Sequence, residues 1–385
     1  MTEKLYDIDS FLTEFTATVL SCTRKDGSFE VVLDKTAFFP EAGGQKSDRG
    51  TLSEAEVLDV TINGDTITHI TNLPLKAGET VAGKIDFERR FDFMQQHSGE
   101  HIISGIANRL YGCENVGFHL SEDIVTLDFD KLLTESQLET LEKSANEAVF
   151  KNVAVKTYYP DDNVLEGLNY RSKKELEGAI RIVEIDKTDI CACCAPHVKY
   201  SGQIGIIKFL ASQKVRNGTR LEIVCGKRAL FDYREKQENI HKISEKLCVK
   251  QNEVSIAVDR LTEEIKDLKF KLGGFRRGAL IKKAQEFEGE QFCTAIFETE
   301  LEIKDLQLYA DLVYKKSGGI RGVFCENANG FNFAVCGDSR LEEFFKAFKE
   351  RFPVRGGGRN GMVQGSLEAS HNEIEEFFDN FNDKK

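Results

Sequence analysis

FDFMQQHSGEHIISGIANRLYG, residues 91–112, carries apolar residues at helical spacing and sets His97 and His101 four apart, so both imidazoles lie on one face of one helix. Well downstream, Cys193-Cys-Ala-Pro-His197 repeats the i, i+4 spacing with a thiol and a third imidazole. A thiolate with three imidazoles is a zinc set. Because its halves are far apart in sequence, the metal has to join a helix to whatever the chain builds around residue 195. That requirement sets the fold class.

Working outward, residues 1–90 read as β. FTATVLSCT, FEVVLD, EVLDVTI and DTITHIT are separated by turn signals at Lys25-Asp26-Gly27, Asn63-Gly64-Asp65 and Lys76-Ala77-Gly78. A small, curved antiparallel sheet or barrel-like domain is expected, with Thr36 and the Gly43-Gly44-Gln45 loop in its middle. Residues 91–231 read as an α+β domain. After the histidine helix come VTLDFD as a strand, LTESQLETLEKSANEAVFKN as an amphipathic helix capped by Thr134, VAVKTYYP, and then IRIVEI, GIIKFLASQKV and TRLEIVCG around the cysteine cluster. The metal site is expected between layers.

Residues 232–288 form a helical connector. Val254, Val258, Leu261, Ile265, Leu268 and Leu272 follow a 4-3-4-3-4 spacing, a heptad seam that is satisfied inside its own hairpin or across a homodimer. Residues 289–385 alternate strands and helices as a small α/β domain. In it, Gly356-Gly357-Gly358 lies between Arg355 and Arg359, and an anion cradle of backbone amides is expected there. The whole reads as an α+β, multidomain chain.

With 385 residues, 41% hydrophobic and 30% charged, the composition is that of a soluble globular protein. No basic n-region and apolar run opens the chain, and no run of eighteen apolar residues occurs, so neither a secretory leader nor a membrane span is expected and the cytoplasm is the default. Ten cysteines without a leader read as free thiols, apart from the cluster Cys191, Cys193 and Cys194. The net charge of −12 is unevenly spread. Residues 269–283 carry Lys269, Lys271, Arg276, Arg277, Lys282 and Lys283 with no acid among them. Such a patch is either a footprint for a phosphate backbone or a solvated helix face.

Three chemistries compete for the metal. His97-Ser-Gly-Glu100-His101 matches the H-x-x-E-H signature of a zinc peptidase with Glu100 as base, but such a site needs a carboxylate ligand, and thiolate ligation lowers the Lewis acidity that amide cleavage wants. A structural zinc closed by four protein ligands is the second. The third is hydrolysis of an activated ester beside the metal, which needs a placed water, a polarised carbonyl and a grip on the rest of the substrate.

His97-x-x-x-His101 and Cys193-x-x-x-His197-Val198, preceded by Phe39-Pro40-Glu41-Ala42-Gly43-Gly44-Gln45, resemble the editing domain of alanyl-tRNA synthetase and its free-standing relatives, the alanyl-tRNA editing proteins. The Gly337 and Arg355–Arg359 region resembles the C-terminal domain that follows this editing domain, so the resemblance covers essentially the whole chain in its long form. It implies zinc held by His97, His101, Cys193 and His197, and Gln45 helping to place the ester or its water. It puts Thr36 where the family keeps a hydroxyl that recognises serine. It also implies mischarged tRNA(Ala) as partner, seryl and in some members glycyl, with nucleic-acid contacts at Arg276, Arg277, Arg355, Gly357 and Arg359. ATP-dependent aminoacylation is not expected. The chain departs from the family's Cys-Gly-Gly-Thr-His at Cys194-Ala195-Pro196, which removes a donor and a hydroxyl and leaves Cys191 and Cys194 as alternative thiolates. His119 reads as a surface histidine near the pocket, and Glu100 as a group that supports the ligand helix.

Overall fold

The computed structural model describes residues 2–172, 179–216 and 218–382. It divides into two compact units, Met1–His241 and Lys242–Lys385.

The first unit begins with β1 (Glu3–Lys4) and α1 (Leu5–Ile8), followed by β2 (Glu14–Lys25), β3 (Ser28–Leu33), β4 (Lys35–Thr36), β5 (Gly50–Leu52), β6 (Ala55–Asn63), β7 (Thr66–Thr71) and β8 (Thr80–Ile85). Strands β2-β3-β7-β6-β5-β8 close into a barrel, and β1 pairs in parallel with β4. Alternation in these strands sends Val19, Val31, Leu33, Val60, Ile67 and Val81 inward as the barrel core.

Helix α2 (Phe87–Tyr111) follows, capped by the Asp86 side chain accepting from the Arg89 amide and ended by Gly112 in the left-handed region (φ 60°). It is buried on almost every side from Phe93 to Ala107. Its buried polar side chains are satisfied by backbone brought from afar: Gln96 exchanges hydrogen bonds with both the amide and the carbonyl of Cys225, and Gln95 donates to Gln203 O. Gly99 allows β15 to lie against the helix, since a Cβ there would stand 2.4 Å from Cys225 Sγ.

Around α2 are β9 (Asn115–Leu120), β10 (Val125–Phe129), α3 (Glu135–Phe150), β11 (Val155–Tyr158), α4 (Asp162–Gly167), β12 (Ile182–Ile185), β13 (Asp189–Ala192), β14 (Ile207–Val215) and β15 (Gly218–Cys225), and then α5 (Gly226–Leu247). They build a sheet of order β14-β15-β10-β9 and a second of order β11-β12-β13. Thr134 caps α3 in a capping box with Gln137. Barrel and helix are tied by the buried Arg90–Asp48 pair, in which Arg90 also donates to Ala37 O and Ser10 O.

The second unit holds α6 (Val254–Glu286), β16 (Cys293–Glu298), α7 (Ile303–Ser317), β17 (Ile320–Asn327), β18 (Gly330–Cys336), α8 (Leu341–Arg351), β19 (Val354–Arg359), β20 (Met362–Leu367) and α9 (His371–Asn382). Its sheet runs β16-β17-β18-β20-β19, with the β16–β17 pair parallel and the others antiparallel. Phe324, Phe333, Phe344, Phe348 and Phe378 fill one face of it. One expectation is corrected here. Arg355-Gly-Gly-Gly-Arg359 is not a curled amide cradle but the edge strand β19, paired residue by residue with β20. Glycine is needed at 356 and 358 for close approach, since Cβ atoms there would meet Gln364 O at 2.2 Å and Met362 O at 1.9 Å.

Candidate metal centre and cleft

His97 and His101 project from the middle of α2, one helical turn apart. Cys193 follows directly on β13, and His197 ends the loop after it. The ligand atoms of these four residues all lie within 4.8 Å of one another. Cys193 Sγ stands 3.5 Å from both His97 Nε2 and His197 Nε2. Metal–nitrogen and metal–sulfur bonds of roughly 2.0 and 2.3 Å at tetrahedral angles give an edge of about 3.5 Å, so the spacing fits a single ion.

Each imidazole is anchored at Nδ1, which leaves Nε2 to the centre. His97 Nδ1 donates to Gln45 Oε1 at 3.0 Å, His101 Nδ1 to Asp189 Oδ2 at 2.9 Å, and His197 Nδ1 to Ser98 Oγ at 3.1 Å. Asp189 is in turn gripped by Arg171 through Nε and Nη2. His101 Nε2 is buried with no hydrogen-bond partner. A buried nitrogen left over in a polar cluster is what a metal ligand looks like before the ion is added, so the residues fit the group.

Burial and these close neighbours set the charge of each group. Burial works to raise the Cys193 thiol, but the surrounding imidazoles, His97 foremost, hold it well below the ordinary thiol range. His197 is pushed down to about 3 by burial, against the pull of Cys193. Burial also works to lower His101, but Cys191, Glu100 and Asp189 outweigh it and hold that residue well above the usual histidine range. Asp189 stays low because His101 and Arg171 overcome its desolvation.

Among the alternative thiolates, Cys191 lies beside His101 and Asp189, but Asp189 is already committed to Arg171 and to His101 Nδ1. Cys194 is exposed and faces Gly43. The structure therefore groups Cys193 with the three histidines. The loop that Pro196 deprives of a donor is held another way: Arg181 Nη1 donates to Cys193 O and Ala195 O at 3.1 and 2.9 Å, and Ser10 Oγ donates to His197 O.

The centre forms one wall of a cleft of about 570 Å³. The turn Ala42-Gly43-Gly44-Gln45 closes one side, with positive φ at both glycines and reciprocal hydrogen bonds between Ala42 and Gln45. A side chain at 44 would collide with Phe118, 2.9 Å away. Phe118, Tyr159, Lys4 and Arg181 line the remainder. Gln45 is buried, and its Nε2 has no hydrogen-bond partner. His119, one residue along β9, points to solvent, so the cleft receives Phe118 instead.

Thr36 is not among the residues that line this cleft. Its hydroxyl is buried and lies 2.8 Å from His69 Nε2. His69 Nδ1 faces the Val31 carbonyl, which only accepts, so Nδ1 carries the proton and Nε2 accepts from Thr36. Glu100 Oε1 accepts from Ser104 Oγ and Asn115 Nδ2, and Oε2 is 3.9 Å from His101 Nε2. Sequence reasoning missed Asp189, Arg171, Ser98 and Arg181. Asp189 alone left a trace, standing two residues before Cys191 on the same strand.

In the second unit Arg355, Gly357, Arg359 and Arg277 are exposed. Arg276 is engaged by Glu302 at 3.3 Å, with Asp305 at 3.9 Å.

A helix carrying two candidate ligands, a strand loop carrying the other two and a glycine turn beside the cleft make up the site. Residues 11–89 match the family described as tRNA synthetases class II (A). Residues 180–221 match the threonyl and alanyl tRNA synthetase second additional domain. The chain is 29% identical to the alanyl-tRNA editing protein AlaX-L of Pyrococcus horikoshii over 97% of its own length and 96% of that protein. It is 35% identical to the alanyl-tRNA editing protein Aarsd1 of Bos taurus over 61% of this chain and 56% of that one. To the alanine–tRNA ligase of Ignicoccus hospitalis it is 27% identical over 81% of its length but only 35% of the ligase. The chain thus spans little more than half of the bovine protein and about a third of the ligase. Together these matches support a free-standing alanyl-tRNA editing protein.

Proposed function

We infer that the chain is a zinc-dependent hydrolase of the cytoplasm that removes, in trans, the aminoacyl group from mischarged tRNA(Ala), chiefly seryl-tRNA(Ala) and also glycyl-tRNA(Ala). The observation that carries the reading is the group of three Nδ1-anchored imidazoles and one thiolate, of which His97, His101 and Cys193 line a cleft. Bound zinc would be held by His97, His101, Cys193 and His197, and supplies positive charge against which an ester or its amino acid orients. The Gln45 amide, whose N–H group has no acceptor, supports a role in meeting the ester oxygen or its water. Phe118 and Tyr159 offer flat apolar surface for a terminal base, and Lys4 offers charge for its phosphates. Arg276, Arg277, Arg355, Gly357 and Arg359 supply further RNA contact in the second unit, and a homodimer through the connector and C-terminal domain completes the proposal.

The test is hydrolysis of seryl-, glycyl- and alanyl-tRNA(Ala) with and without a chelator. Release of serine and glycine but not alanine, lost on chelation and restored by zinc, is the expected result. Ester release no faster than in buffer would make the chain an idle, zinc-stabilised RNA-binding module, with four protein ligands closing the ion off.

A further inference from the structure

The loop that carries Cys193 and His197 is fastened to residues 7–10, at and just after α1. Ser10 touches both halves of the ligand set: its Oγ donates to His197 O at 2.8 Å, and its carbonyl accepts from Arg90 Nη1, on the helix that carries His97 and His101. Asp7 reaches the loop through one intermediary. Its Oδ1 lies 3.3 Å from Arg181 Nε, in a pair largely out of water, the Asp7 and Arg181 side chains being 13% and 4% exposed. Arg181 in turn spans the backbone of the loop: Nη1 donates to Cys193 O and Ala195 O, and the Arg181 carbonyl accepts from the Cys193 amide at 3.0 Å. The other oxygen of Asp7 is held as well, because Tyr159 Oη donates to Oδ2 at 3.0 Å. Burial and the Asp7 charge push that phenol up to about 12, so it stays a donor at neutral pH.

We propose that Asp7 is a positioning residue for the metal loop and acts through Arg181. A guanidinium is planar, so its direction is set by what its nitrogens meet. With Nε on the Asp7 carboxylate, Nη1 is left facing two carbonyls, one of them that of Cys193 itself. Pro196 has no amide with which the loop could hold itself, so the backbone direction at Cys193 depends on this outside grip. Neutralising Asp7 deprives a buried cation of that charge, and the guanidinium turns toward the water of the cleft that it lines. Cys193 then loses the fixed carbonyl that aims its Sγ at the three imidazoles. The proposal rests on the metal assigned above and is independent of the ester hydrolysis.

Zinc affinity of the full chain, measured in competition with a chromophoric chelator, tests this, together with the thiolate-to-metal absorption band of the cobalt(II) form. Arg181→Gln is expected to weaken zinc binding by roughly 10- to 100-fold and Asp7→Asn by about 10-fold, with the cobalt band shifted in both. Because Asp7 acts through Arg181, the double variant binds zinc no more weakly than Arg181→Gln alone. Losses that add in the double variant would make Asp7 an independent support of the fold, and overturn the proposal. So would an Asp7→Asn protein, folded by circular dichroism, that keeps wild-type affinity and an unshifted band; this near-isosteric variant decides the matter where Arg181→Gln does not fold. A wild type that takes up neither zinc nor cobalt overturns the metal reading and this proposal with it, whereas one that binds zinc but releases no ester sinks the hydrolytic reading alone.

Discussion

Asp189 shows how much of a candidate metal centre sits outside the four residues that could hold the ion. It fixes the His101 tautomer and is itself fixed by Arg171, both through short hydrogen bonds. Loss of such a partner weakens metal binding by roughly 10- to 100-fold. Asp189→Asn is expected to do so in competition with a chromophoric chelator while the protein remains folded. Cys193→Ala is expected to lose the metal and, with it, ester hydrolysis, whereas Cys191→Ala keeps both; the reverse outcome would mean that Cys191 is the ligand. Thr36 poses a different question, because its hydroxyl is bound to His69 inside the barrel and accepts from the Phe38 amide. Thr36→Val leaves buried polar groups without partners, at a cost of about 1–3 kcal/mol in denaturant unfolding. If Thr36 also reads serine, the same variant slows seryl-tRNA hydrolysis more than glycyl-tRNA hydrolysis. Equal rates would leave it a purely structural residue.

Among the elements, those with a strong period or a cap were legible. Helix α3 is announced by Thr134 and its amphipathic pattern, α2 by its apolar spacing, and β2, β3, β6 and β7 by alternation between turn signals. Strand β19 was not, because glycines have no side chains with which to write a period of two. Its strand character comes from β20 pairing alongside. In β9 alternation sends His119 to water, as a surface histidine, and its neighbour Phe118 to the cleft. The barrel holds a pH-sensitive element that composition could not reveal. Burial pushes His69 down to about 4, so the unfolded chain binds the proton more readily than the folded one. Stability then rises with pH between about 4 and the ordinary histidine value near 6.5, and the full contribution is present above that window. His69→Asn is expected to flatten the pH dependence of unfolding in this window. An unchanged slope would place the acid sensitivity in other groups.

At the scale of the molecule, net charge and local charge point in opposite directions. The chain carries −12 overall, yet residues 269–283 contain six basic side chains and no acid. Folding alters that count by bringing acids from later elements: Glu302 and Asp305 to Arg276, and Glu298 to Lys283. Lys282 lies 3.8 Å from Glu286, one helical turn on. A sequence window cannot show this neutralisation, because the partners arrive through packing. The arginines of β19 are different. Arg355 and Arg359 are exposed on an edge strand, and among the described residues neither forms an ion pair. If tRNA is the partner, its affinity is set by such local contacts, each releasing counterions, and not by the overall charge. Titrating tRNA(Ala) across a salt series should give a linear fall of log affinity with log salt. Arg355→Ala/Arg359→Ala is expected to reduce the magnitude of that slope by about 2 and to weaken binding, with the metal content unchanged. A slope that the double substitution leaves intact would move the RNA footprint away from β19.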